Sequence, residues 1–197
     1  MRVQQAPQLP PRERIVEAAQ SLFAQQGITR VSVDAIAALA ASTKMTVYRH
    51  FENKDALVLE WLQRLTESYS EALDSLAQQY PDAPREQLLG FTGFIVDDLQ
   101  RAGYRGCPFT NSLAEIPEPD HPARQLIEAH KQRQFARVAT LCEQMGAQAP
   151  QALAQELSLL MEGAQVVAQN KGFDRVGERL MHMVRQRLSE AGTHEHD

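Results

Sequence analysis

Between Ser32 and Lys54 the sequence collects the side chains best suited to chemistry: SVDAIAALAASTKMTVYRHFENK. Thr43, Lys44, Thr46 and Arg49 can share the outward face of one short helix, where hydroxyl and cationic donors can meet phosphate oxygens and base edges. Tyr48 joins that exposed edge beside Arg49 and His50, whereas Phe51 reads as core. Other chemistries find less support. A di-iron bundle needs Glu-x-x-His motifs on facing helices, and neither Glu128 with His130 nor Glu178 with His182 has that spacing. His194 and His196 fall in the final residues. Cys107 and Cys142 read as small buried hydrophobes, Cys107 having Arg105 nearby. With no metal spacing, nucleophile–base pair or phosphate loop, neither an enzyme nor a bound cofactor or metal is expected.

These side chains need a body to hold them. A chain of 197 residues, 43% apolar and 23% charged, can bury a core as one large domain or two small ones. No run approaches the ~18 apolar residues that cross a bilayer. The first residues do not resemble a signal peptide, and two cysteines make no disulfide scaffold. A cytoplasmic protein with reduced thiols and no membrane partner is expected. The net charge of −5 argues against nucleic acid until its distribution is read. Residues 1–55 carry seven Lys/Arg against five acids, and the remainder carry 13 against 20. A basic first quarter precedes an acidic body.

The periodicity predicts an all-α fold. A first helix opens at Pro10-Pro11, gathers Ile15, Ala18, Ala19, Leu22 and Phe23 on one face, and stops at Gly27. Ser32 caps a second helix, with Asp34 facing its positive end. Thr43 caps a third, ending near His50, and Asn53 caps a long fourth that ends near Tyr80-Pro81. Further helices are expected at 84–101, 108–116, 122–146, 150–171 and 174–191. The organisation predicted is a tail at 1–9, a first helical domain at 10–55, a second at 56–191, and a frayed tail at 192–197.

Two short helices around a tight turn make a helix-turn-helix, which needs small residues at the crossing and turn and a branched apolar residue on the second helix. Ala37, Ala41 and Val47 meet that spacing. At this point the sequence resembles the TetR family of transcriptional regulators, through RERIVEAAQSLFAQQG, VSVDAIAALA and TKMTVYRHFENKDAL. The run Tyr48, His50, Phe51 and Lys54 is the most specific part. The resemblance implies that Thr43, Lys44, Met45, Thr46, Tyr48 and His50 lie in or beside the major groove, with Lys54 on a phosphate. Ser32, Ser42 and Arg49 complete the nominated DNA surface. A weaker likeness covers Arg105 to Phe109 with Asn111 and Glu115. The chain departs from the family where many members have Gly at the turn position of Ala41, Val at Ser42 and Gly at Met45. Met45 would set an apolar side chain at the groove, suited to a thymine methyl.

Trp61, Leu65, Phe91, Phe94, Ile95, Leu99, Tyr104, Cys107 and Phe109 fit either an ordinary core or a cavity; the resemblance implies a small-molecule pocket between helices four to seven. Two late stripes, Leu153, Leu157, Leu160, Ala164, Val167 and Ala168, then Val176, Leu180, Val184 and Leu188, suit packing within the chain or against a second copy. The resemblance implies the second, hence a homodimer on a near-palindromic double-stranded DNA operator, released by a small-molecule effector. The competing readings are a helical-bundle enzyme and a ligand-binding module without operator-specific DNA binding.

Overall fold

Proline opens most of the helices. In a computed structural model, which describes residues 9–172 and 174–192, α1 (Pro11–Gln26), α5 (Pro84–Arg101), α6 (Pro108–Glu115), α7 (Pro122–Gln144) and α8 (Pro150–Gln169) all start on a proline. The missing N–H costs nothing there, because a first-turn N–H has no intrahelical acceptor. The helices between are capped by side chains: Ser32, Thr43 and Asn53 accept from the N–H of Ala35, Thr46 and Ala56 at the starts of α2 (Val33–Leu39), α3 (Lys44–His50) and α4 (Lys54–Gln79). The described residues end with α9 (Val176–Gly192), and no strand occurs among them.

The expected helices are all present, with ends shifted by a residue or two. α6, α7 and α8 stop at Glu115, Gln144 and Gln169, and α9 begins at Val176 because Arg175 takes a left-handed backbone (φ 59°). Gly192, expected in the frayed tail, is the last residue of α9. The rest of both expected tails, apart from Leu9, lies outside the described residues. Among the described residues, no helix is long and apolar enough to cross a membrane.

α1, α2 and α3 close around Ile15, Ala19, Phe23, Ile36, Ala37 and Val47, all buried. The 26 residues of α4 run about 39 Å at 1.5 Å per residue, long enough to serve two cores. Near its start Trp61 meets Phe23, ring centroids 5.4 Å apart, while Tyr69 and Leu73 lie buried further along. Ion pairs reinforce the first seam. Arg12 reaches Glu60 at 2.7 Å, and Arg64 holds Glu13 at 2.8 Å and Glu60 at 3.0 Å.

The late stripes are spent inside the chain. Leu153, Leu157, Ala164, Ala168, Val176, Leu180, Val184 and Leu188 are buried in the single protomer, and Leu160 and Val167 half-buried. α8 and α9 use this face on their own chain, α9 meeting α5 so closely that a Cβ on Gly177 would stand 2.5 Å from Val96 Cγ1. Their outward side instead exposes Leu159, Val166 and Met183. The stripes nominated for a dimer seam thus pack largely within their own chain, with Leu160 and Val167 keeping part of their surface.

Ala41 has φ 47°, the left-handed turn that the helix-turn-helix requires. A Cβ in that conformation costs ~1 kcal/mol, partly offset by the greater unfolded-state freedom of glycine. Ala41→Gly is expected to stabilise the protein by up to about 1 kcal/mol, read as a higher denaturation midpoint. A lower midpoint would show that the alanine methyl packs favourably.

Candidate nucleic-acid interface

The outward face of α3 is available because its inward face is fixed. Val47 (1% exposed) and Phe51 (6%) are sunk into the three-helix core, and the guanidinium of Arg12 lies 5.0 Å from the Phe51 ring centre. Arg14 donates through Nε to the carbonyl of Ala40 at 3.0 Å, so α1 also grips the turn. Thr43, Lys44, Met45, Tyr48, Arg49 and His50 are then exposed, Met45 to 75%. Thr46 and Ser42 are half-buried; Lys54, also half-buried, opens α4 beside this face. Ser32 lies exposed across the turn, its hydroxyl engaged in capping α2.

Two features of this surface escaped the sequence reading. The Nζ of Lys44 stands 2.9 Å from Asp34 Oδ2, joining α3 to α2, and this carboxylate raises the lysine pKa above its ordinary value. The other is a contact between the hydroxyls of Thr43 and Thr46 (2.9 Å), beside the expected cap in which Thr43 accepts the N–H of Thr46 (3.1 Å). These threonines therefore begin with internal partners, while Met45, Tyr48, Arg49 and His50 project without needing one to hold the helix.

The residues nominated for a pocket divide. Phe91, Ile95, Leu99, Cys107 and Phe109 are buried, Leu65 and Phe94 half-buried, and Tyr104 is 49% exposed at the end of α5. Trp61 borders a cleft of about 40 Å³ between α1 and α6. The aromatic centre instead forms around a residue that sequence reasoning did not nominate. Tyr69 meets Phe94 and Phe109 edge-on at 4.9 and 5.3 Å, and His130 stacks on Phe109 at 4.4 Å. The Tyr69 hydroxyl donates to Asp98 at 2.8 Å, and its pKa is raised by burial and by that carboxylate.

Beside this centre Lys131 bonds to Glu162 and lies 3.7 Å from Cys107 Sγ. Burial disfavours its ammonium, but Cys107 and Glu162 outweigh that and raise its pKa. The sequence offered Arg105 as the cation near Cys107; the cation in contact comes from 24 residues further on. Among the described residues no three His, Cys, Asp or Glu side chains converge on one metal position.

His130 Nε2 and Gln134 Oε1 are buried without a hydrogen-bond partner. Burial, with Lys131 and Arg133 nearby, pushes the imidazole pKa down to about 4. The unfolded chain binds a proton at His130 near pH 6.5 and the native state does not, so stability is complete above that value and falls as pH drops towards 4. This histidine should remove about 2 kcal/mol between pH 7 and pH 5. His130→Phe should flatten that slope in urea titrations at the two pH values; an unchanged slope would place the sensitivity elsewhere.

Comparison with known proteins agrees with this geometry. Residues 15–61, covering α1 to the start of α4, match the model of the bacterial regulatory proteins of the tetR family. The chain is 30% identical over 133 residues to the HTH-type transcriptional regulator TtgR of Pseudomonas putida, a match that spans 61% of this chain and 60% of TtgR. A probable acrEF/envCD operon repressor of Escherichia coli is 32% identical over 53% of this chain and 52% of its own length. The crystal structure of a TetR-family transcriptional regulator from Streptomyces coelicolor superposes with a TM-score of 0.85 and 32% identity, covering 92% of this chain and 96% of the other. With an exposed recognition helix on a three-helix core and this likeness along nearly its whole length, the chain belongs to the TetR family of DNA-binding transcriptional regulators.

Proposed function

We propose that the chain is a repressor, not an enzyme, that binds a near-palindromic operator as a homodimer in the cytoplasm and leaves it when a small-molecule effector binds. Residues 10–55 form the reading domain and 56–191 the effector and dimerisation domain. The observation that carries this reading is the outward face of α3, held out by buried Val47 and Phe51 and flanked by Lys54. A helix presented this way fits a major groove. Lys54 anchors to a phosphate, while Lys44 exchanges Asp34 for guanine O6 and N7, and Thr43, Met45, Thr46 and Tyr48 complete the contact.

The effector is received among Tyr69, Phe94, Phe109 and His130, where aromatic faces pack around the buried imidazole. A ligand that favours the non-operator conformation shifts the balance by its differential affinity alone, ~1–3 kcal/mol in ordinary coupling. The dimer is held by the outward stripe of Leu159, Val166 and Met183.

Selection of bound duplexes from a random pool tests the central claim: two inverted half-sites should emerge, and retention of no sequence above background would overturn it. On the selected operator, Lys54→Ala should weaken all sequences alike and lower the salt slope by about one counterion per subunit. Lys44→Ala should relax preference at one base pair per half-site, on the order of tenfold. Uniform weakening by Lys44→Ala, with every preference kept, would make it a second phosphate anchor.

The dimer seam has its own test. Val166→Glu sets a charge into the proposed stripe without disturbing the core, so sedimentation should show monomers with native helix content and greatly weakened operator binding. A dimer that persists would reject this face.

A further inference from the structure

The corner between α6 and α7 reaches back to the DNA-binding helices at two points. Glu115, the last residue of α6, accepts the backbone N–H of Thr29 at 2.6 Å, in the loop joining α1 to α2. Gly27 admits this approach: its backbone is left-handed (φ 83°), and a Cβ there would stand 2.4 Å from Glu115 Oε1. Burial would raise the Glu115 pKa, but the Thr29 and Ile28 amides outweigh it and keep the group a carboxylate. A charged acceptor at this distance makes a strong bond.

His121 makes the second approach. Its Nδ1 accepts from the N–H of Ala123 at the start of α7, while its Nε2 lies 3.9 Å from Asp55 in the first turn of α4, next to Lys54. Arg124 closes the corner on itself, donating to the carbonyls of Leu113 at 3.1 Å and Ile116 at 2.7 Å. The contact to Thr29 is thus made from a braced position.

α4 alone joins the two cores as one continuous rod. A single rod sets distance, but bending and rocking about it remain soft. A bond off that axis, from Glu115 to the α1–α2 loop of the three-helix unit, removes this freedom. We propose that Glu115 is a positioning residue: it fixes the tilt of the helix-turn-helix on α4 and so sets the spacing at which the two recognition helices of the dimer meet DNA. This rests on the operator reading above.

The test uses the full-length protein and the duplex selected by the wild type, with derivatives carrying one base pair added or removed at the centre. The wild type should lose on the order of tenfold in affinity for the altered spacings, since half-sites must match the protein's two-fold geometry. Glu115→Ala should keep the preferred half-site bases yet bind all three spacings within about threefold of each other. Hydrogen exchange at the Thr29 amide should accelerate, with the α3 and α5 amides unchanged. Glu115→Gln, a neutral acceptor of similar shape, should fall between the two, and carries the test should the alanine variant not fold. Wild-type spacing discrimination in a folded variant overturns the proposal. A wild type that selects no duplex overturns the operator reading and this proposal with it, which separates the two failures.

Discussion

A helix of seven residues does not hold together by itself in water, because nucleation costs more than so few hydrogen bonds return. The recognition helix α3 is such a helix, and most of the reading domain can be understood as what makes it permanent. Thr43 closes its first turn, while Val47 and Phe51 sink into a core shared with α1 and α2. Arg14 fastens the turn before it at the carbonyl of Ala40, the residue just ahead of left-handed Ala41. The stability of α3 is borrowed from its neighbours, and this leaves its outward side chains free of structural duty.

The same logic extends along the molecule. α1 is tied to α4 by Arg12, Glu13, Glu60 and Arg64, where exposed pairs would add little singly but form a connected network. α4 then enters the second core through Tyr69 and Leu73, beside which lies a charged and aromatic centre. The two halves therefore meet through few elements: the rod of α4, the Phe23–Trp61 contact and the α6–α7 corner. Few connections make a joint whose geometry a small change can bias.

Much of this was legible in the sequence. The caps Ser32, Thr43 and Asn53 and the prolines at helix starts encode boundaries locally, so the helices stand within a residue or two of expectation. The outward side of α3 followed from residue type and spacing together with the family resemblance. Partners remote in sequence were hidden: Lys131 beside Cys107, His130 stacked on Phe109, and Glu115 on Thr29 all depend on helix packing. The late stripes show a second limit. Leu157 and Leu180 were correctly apolar, but periodicity states only that a face is buried and not whose surface buries it. Leu159, Val166 and Met183, scattered more thinly, were the apolar residues left outside.

The Lys44–Asp34 pair bears on how such a protein travels along a chromosome. A lysine already satisfied by a neighbouring carboxylate gains little from an arbitrary phosphate, since one ion pair is exchanged for another. Holding on to irrelevant DNA is correspondingly looser, and sliding or hopping meets less friction. Only a site whose base edges reward the exchange repays opening the pair, and there dwell time lengthens. With Lys44 in the proposed reading role, an internal acid beside it shortens the time wasted on wrong sequences, a gain in search speed that no equilibrium affinity for the operator would reveal.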